Sequence, residues 1–283
     1  MSALTHQVAL VSDSQSVSFS DVSTVAAALQ KQATRDFAPL WQVNATVAAF
    51  ATLEDVPVDY WPVILRDDIS QPGAAGYHTD DNGQPFALVQ IDDSWPLTAS
   101  HETLEMLADP FGNRTIAGAP PPQAPAPISK LKRVTYLVEV CDPCESSEFS
   151  YTVNGITVSD FITSHYYDPH TKAGARYSFQ GSITAPHQVL DQGYVSFSNP
   201  ANNHWYQIMV DNGKVTLNDL GTLQRNGRSL REVIDARVRE MRKNKHYRTK
   251  AATMARAAGA AATGYEDLGK SRADALRQVI KKL

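Results

Sequence analysis

The stretch Ser100-His101-Glu102-Thr103-Leu104-Glu105-Met106-Leu107-Ala108-Asp109-Pro110 decides how the rest of the chain is read. Its residues suit a helix over about 96–109. Pro96 fits a first turn, Ser94 or Thr98 is available as a cap, and Pro110 ends the helix because its ring cannot continue the hydrogen-bond ladder. At about 100° per residue, His101, Glu105 and Asp109 fall within about 80° of one another. Leu97, Leu104, Leu107 and Ala108 gather on another side, a stripe suited to burial against a sheet. Ionisable groups thus point one way while an apolar face anchors the helix.

The elements before this helix follow a readable order. Residues 7–12 (QVALVS) form a short apolar run suited to a buried strand. Asp21 or Ser23 can cap a helix reaching about Phe37, with Val25, Leu29 and Ala33 on its apolar face. Three strands are expected at 45–51, 60–66 and 85–91, the last two separated by a turn region rich in Gly, Asp and Asn. Pro62 places the second at a sheet edge, or else sits among that strand's first residues. After the motif helix, residues 118–127 (GAPPPQAPAP) read as a stiff, exposed connection or a domain boundary. A β-rich part follows, with short runs at 133–140, 149–153, 156–158, 177–180, 193–197, 205–210 and 214–217. From Ser229 the pattern turns helical through Leu230, Val233, Ile234, Val238 and Met241, and residues 251–263 and 271–283 continue as expected helices. The expected division is therefore 1–116, a connection at 117–128, a β-rich part at 129–223 and a helical tail at 224–283.

Charge is divided unevenly. From Arg225 onward there are 16 Lys/Arg against 6 Asp/Glu, leaving 10 against 24 in the rest of the chain. Such a tail can dock on an acidic partner or on the chain's own acidic body, and it lacks the interleaved aromatics and motifs that favour nucleic-acid binding. No secretory signal and no apolar run of membrane-span length is read, so the default expectation is a cytoplasmic protein, with virion association or signal-independent export as alternatives. Cys141 and Cys144 are the two cysteines. They read as a local disulfide or two buried thiols, since one CxxC pair supplies only half of a structural zinc site, and a mixed site with Glu139 and Glu105 is the alternative.

The chemistry lies in the spacing His101-Glu102-x-x-Glu105. Two ligands at i and i+4 share one helix face and can reach a single ion, while an adjacent glutamate can act as general base toward metal-activated water. The bland alternative is a solvated helix face. The pattern is that of the H-E-x-x-H zinc-hydrolase helix with glutamate replacing the second histidine. Together with the order of elements before the helix, it resembles the N-terminal half of the zincin metallopeptidases. The strings SHETLEMLADPFGNR (100–114), GYHTDDNGQPFALV (76–89), YLVEVCDPCE (136–145) and VSDFITSHYYDP (158–169) further resemble a family of uncharacterised bacterial and phage-associated proteins.

The resemblance implies a zincin-like fold but brings no established substrate. With the pattern reading it gives an α+β, zincin-like mixed sheet with a β-rich second part and a helical C-terminal tail. The leading expectation is a metal-dependent hydrolase acting on an extended polypeptide. Zn2+ is the expected cofactor, held by His101, Glu105 and a third ligand, with Glu102 as catalytic base. Glu139 is the first choice for the third ligand, because a carboxylate inside the apolar run at 136–140 needs a partner. Asp109, Asp142 and His78 are alternatives. A site of one histidine and two carboxylates would also admit manganese, iron or calcium. Tyr166 or Tyr167 is a candidate for stabilising an oxyanion. The competing expectation is a non-catalytic interaction protein on the same scaffold that docks through its basic tail.

Overall fold

The computed structural model describes residues 4–244, so the helices expected at 251–263 and 271–283 lie outside the described residues. The chain has an α+β fold built on two five-stranded sheets and a small hairpin.

The first sheet forms from β1 (Thr5–Ser12), β2 (Asn44–Phe50), β3 (Trp61–Arg66), β4 (Gly76–Asp81) and β5 (Gln84–Gln90). Their order is β2-β1-β3-β5-β4, with every pairing parallel except that of β4 with β5. The central strands are apolar at consecutive positions because both faces are buried. Val8, Leu10, Val63, Leu65, Ala87 and Val89 face one side. Ala9, Val11, Ile64, Phe86 and Leu88 face the other, under Leu53, Val56 and Ile69. Each Val, Leu, Ile or Phe among them contributes about 1.5–3 kcal/mol by leaving water.

Of the two places expected for Pro62, the second holds: it is the second residue of its strand, which is central and not an edge, and its ring removes only one early ladder donor. The polar run before β5 is the antiparallel edge strand β4, which the turn residues around it obscured. Asn82 and Gly83, with φ of 50° and 83°, make the two-residue turn joining β4 to β5. Asn-Gly between two strands is the sequence signal of that hairpin.

The helix α1 (Phe19–Lys31) covers the sheet with Val22, Val25, Ala26, Ala28 and Leu29 buried. Its cap is Ser18, whose hydroxyl accepts from the Asp21 amide, so Asp21 is the partner inside the first turn and not the cap. The helical course continues through a π-helical segment, Gln32–Phe37, into the short α2 (Ala38–Trp41). The motif helix α3 (Trp95–Ala108) packs beside β5, β4 and β3. Ser94 stands at its N-cap position, but the Ser94 hydroxyl donates to Asp92 instead of capping. No solvated face exists over its second half: every residue from Glu102 to Ala108 is buried.

The second sheet is antiparallel throughout. It contains β6 (Thr115–Gly118), β7 (Val134–Leu137), β10 (Tyr194–Asn199), β11 (His204–Asp211) and β12 (Lys214–Thr222), in the order β12-β11-β10-β7-β6. The proline-rich stretch thus joins two paired neighbours, β6 and β7. Between β7 and β10 lie the hairpin β8 (Tyr151–Val153) and β9 (Ile156–Val158). The run expected at 177–180 contributes only a single bridge, Ser178 to Ile162.

The helix α4 (Leu230–Asn244) opens the basic tail. Leu230, Ile234 and Val238, one turn apart each, pack onto Leu137, Trp205 and Leu220 of the second sheet. Ser229 and Glu232 fix its start as a capping box: the Ser229 amide donates to the Glu232 carboxylate and the Glu232 amide donates to the Ser229 hydroxyl.

Gly193 controls how the segment after β7 lies. A Cβ at this position would stand 2.7 Å from the Pro143 carbonyl oxygen and 2.8 Å from that of Asp142. Gly193→Ala is expected to push away the turn that carries Asp142 and to lower stability by about 1–3 kcal/mol, read by urea unfolding. An unchanged midpoint would mean that the turn yields freely.

Candidate metal centre

The helix α3 is fastened before its ionisable residues begin. The Ser100 hydroxyl donates to the Gln32 side-chain carbonyl at 2.8 Å and accepts from the Ser159 amide at 2.9 Å. Gln32 in turn donates to the Ser159 carbonyl. These buried bonds tie the helix to the π-helical segment and to the loop after β9. At the other end Asp109 accepts from the Arg114 amide, and Pro110 stops the helix.

Glu105 stands at the middle of the buried ionisable groups, and its two oxygens face different neighbours. Oε1 lies 3.3 Å from His101 Nε2 and accepts from the Cys141 amide at 3.2 Å. Oε2 accepts from Arg231 Nη2 at 3.2 Å and lies 3.8 Å from His78 Nδ1. Donor atoms close up on both sides. His101, Glu105 and Cys141 offer ligand atoms that all lie within 4.8 Å of one another, and so do His78, Glu105 and Glu139. The expected trio of His101, Glu105 and Glu139 is therefore split: Glu105 belongs to both triads, His101 to one and Glu139 to the other.

The remaining candidates take varied positions around these triads. Asp142 approaches His101 Nε2 at 3.3 Å with Oδ1, an atom that has no hydrogen-bond partner. Glu102 Oε2 lies 3.4 Å from both His78 Nδ1 and Arg231 Nη1. Asp109 turns toward the helix end and joins neither triad. His78, read from the sequence only as a weak candidate, donates from Nε2 to the Asp109 carbonyl at 3.0 Å, which turns Nδ1 into the carboxylate cluster. Tyr166 is buried against Tyr167 and His187, and its hydroxyl has no hydrogen-bond partner. Both cysteines are buried free thiols, so the disulfide alternative does not apply.

Arg231, in the first turn of α4, was not anticipated. Besides Glu105 and Glu102, its guanidinium reaches Glu139 Oε1 at 3.4 Å, donates to His78 Nδ1, and donates to the His78 carbonyl. It is buried. A single arginine in a helix of basic residues gives no sequence signal of this role. The one hint in the sequence is the charge imbalance between tail and body.

The electrostatics arise from holding so many charges out of water. Burial disfavours the His101 imidazolium, yet the Glu105 and Asp142 carboxylates outweigh it and hold His101 well above its ordinary value. Burial would also lift Glu105, but His101 first and Arg231 next keep that carboxyl well below the usual range. Burial pushes Glu139 well above the carboxylate range against the pull of Arg231. Burial and the Glu105 charge push Asp142 up to about 7. Among the described residues, the carboxyl groups of Glu102, Glu105, Glu139 and Asp235 lie within 4.0 Å of the Arg231 guanidinium, and that of Asp142 lies beside His101. Buried carboxylate oxygens without hydrogen bonds, on Glu139 and Asp142, are costly unless a cation meets them. The donor set therefore fits a divalent ion.

No protein-family model, curated protein or solved structure matches the chain. What fold and site define together is an α+β protein whose HExxE helix carries a buried His/Glu/Cys cluster, compatible with a zincin-like metal-binding motif. Among the described residues, no helix is long and apolar enough to cross a membrane.

Proposed function

We propose that the chain is a divalent-metal-dependent hydrolase acting on extended polypeptide, with zinc as its ion. One observation carries this reading: His101 and Glu105, one helical turn apart, bring donor atoms within 4.8 Å of each other and of the Cys141 sulfur. An ion bound there would polarise a substrate carbonyl and activate water. His101 and Glu105 would hold it from α3, and Cys141 from the segment after β7. Asp142, with Oδ1 3.3 Å from the same His101 Nε2, offers a further oxygen to the ion.

Glu102 is the general base. It adjoins the first ligand, and its carboxylate lies at the start of the edge strand, where a Cβ on Gly76 would come within 3.0 Å of Oε1. It would accept a proton and return it to the leaving amine. The polypeptide class draws on β4, an antiparallel strand at the sheet edge next to Glu102, to which an extended chain would add through its backbone once α4 leaves His78 and Thr79. The zincin resemblance points the same way.

The zinc-loaded full chain is expected to cleave an unfolded polypeptide. Glu102→Gln should lower turnover at least about a hundredfold while keeping its zinc. Full turnover in that variant would remove the mechanism. Failure of the wild type to take up stoichiometric zinc would remove the reading as a whole.

A second reading is favoured by a specific observation: α4 covers the very edge a substrate would use. Arg231 donates to the His78 carbonyl, and Thr79 donates to Glu232. On this reading the scaffold is non-catalytic, and the basic tail docks on a protein partner. It requires that zinc-loaded protein show no turnover of any polypeptide tested.

A further inference from the structure

We propose that Glu105 separates two cation positions, and that Arg231 fills the second, a latent metal site made of His78, Glu105 and Glu139. The count of ions rests on the metal centre proposed above at His101, Glu105 and Cys141. The latent site itself rests on independent geometry.

Three features make the second position a built site and not a chance gathering of acids. The ligand atoms of His78, Glu105 and Glu139 lie within 4.8 Å of one another. His78 is oriented as metal-binding histidines are, its other ring nitrogen donating to a backbone carbonyl, here that of Asp109. Glu139 is 7% exposed, and neither of its oxygens accepts a hydrogen bond. Ionised, a buried carboxyl group in that condition calls for a cation, and Arg231 Nε lies 3.4 Å from its Oε1.

The cation present is a guanidinium. Arg231 Nη2 meets Glu105 at 3.2 Å, Nε meets Glu139 at 3.4 Å, and Nη1 donates to His78 Nδ1. Its aim is set by the chain around it. The Arg231 amide donates to the Gly112 carbonyl, and the Leu230 amide to the Asn113 side chain. Gly112, with φ of 57°, lies so close that a Cβ there would be 3.0 Å from Arg231 Cβ. The run Asp109–Asn113 that ends the motif helix therefore also seats the arginine.

A guanidinium and a divalent ion cannot share these donors, because two cations would be forced together at one set of ligands. While α4 is seated, the chain holds one divalent ion. Without the guanidinium, it would hold two, one on each side of Glu105. The positions also differ in kind. The one with Cys141 is softer and favours zinc, whereas the latent one has only nitrogen and oxygen donors and accepts manganese as readily.

The test is metal content of the full-length protein after loading with Zn2+ and removal of the excess. Wild type is expected to retain one ion per chain, Arg231→Met two, and Arg231→Met with His78→Asn one. Wild type retaining two, or a cooperatively folded Arg231→Met gaining none, would overturn the latent site. Wild type with none and Arg231→Met with one would keep the latent site and remove the centre proposed above. Should Arg231→Met not fold, anomalous diffraction from Mn2+-soaked wild-type crystals puts the same question. A peak between His78, Glu105 and Glu139 with the guanidinium displaced would uphold the proposal. A peak there beside a seated guanidinium, or no peak at saturating Mn2+, would overturn it.

Discussion

Arg231→Met is expected to lower the stability of the metal-free protein by about 3–5 kcal/mol, the range for removing one partner from a buried ion network. Methionine keeps most of the methylene packing, so the loss reports charge. Glu102, Glu105 and Glu139 would then face one another without the cation that now lies 3.2–3.4 Å from each. His78 Nδ1 would lose its donor as well. Urea unfolding in the presence of chelator measures this directly. Divalent metal should return much of the loss, since a ligand at a hundred times its Kd adds about 2.7 kcal/mol. A loss below about 1 kcal/mol would mean that the carboxylates do not depend on this arginine.

Glu105→Gln has the second large effect, because both donor triads share this residue. An amide has one oxygen where the carboxylate has two. That oxygen can face the Cys141 amide or Arg231 Nη2, both of them donors, but not both at once. Retained zinc affinity is expected to fall by more than about a hundredfold, beyond what losing a supporting residue alone would cause. Glu139→Gln, by contrast, should leave zinc on the His101 side nearly unchanged. Equal losses in the two variants would place the ion on the other side of Glu105. Competition titration with a chromophoric chelator distinguishes the outcomes.

Much of the scaffold is legible in the sequence because strong local patterns agree with the final packing. The run at 7–12 is apolar on both faces because β1 is central and covered on both sides. Helix α3 is bounded by Pro96 and Pro110 and lies nearly where expected. The elements that escape the sequence do so for physical reasons. β4 is short and half polar, and its Asn82-Gly83 turn reads as loop although it marks a hairpin. The bland alternative of a solvated face on α3 fails because its ionisable side is not turned to water: Glu102 and Glu105 are buried beneath α4. No pattern within one helix reveals which distant helix will cover it.

The site divides in the same way. His101 and Glu105 are legible because i and i+4 spacing fixes their proximity whatever the tertiary fold does. Glu139 is legible as a buried carboxylate in an apolar run, but its side of Glu105 is not, since that depends on how the chain crosses α3 after β7. The count of cysteines argues against a metal role for Cys141, yet it needs no second pair when His101 and Glu105 complete its triad. Arg231 lies 126 residues from Glu105 in sequence, and only the fold brings it there.

The central claim is that His101, Glu105 and Cys141 form a metal centre. X-ray absorption spectroscopy at the zinc edge of the zinc-loaded full chain tests it most directly, because sulfur scatters unlike nitrogen or oxygen. One Zn–S distance of about 2.3 Å among nitrogen and oxygen ligands at about 2.0–2.2 Å is expected, and Cys141→Ser should abolish the sulfur contribution. A shell of nitrogen and oxygen alone in the wild type, or no zinc retained at all, would contradict the account.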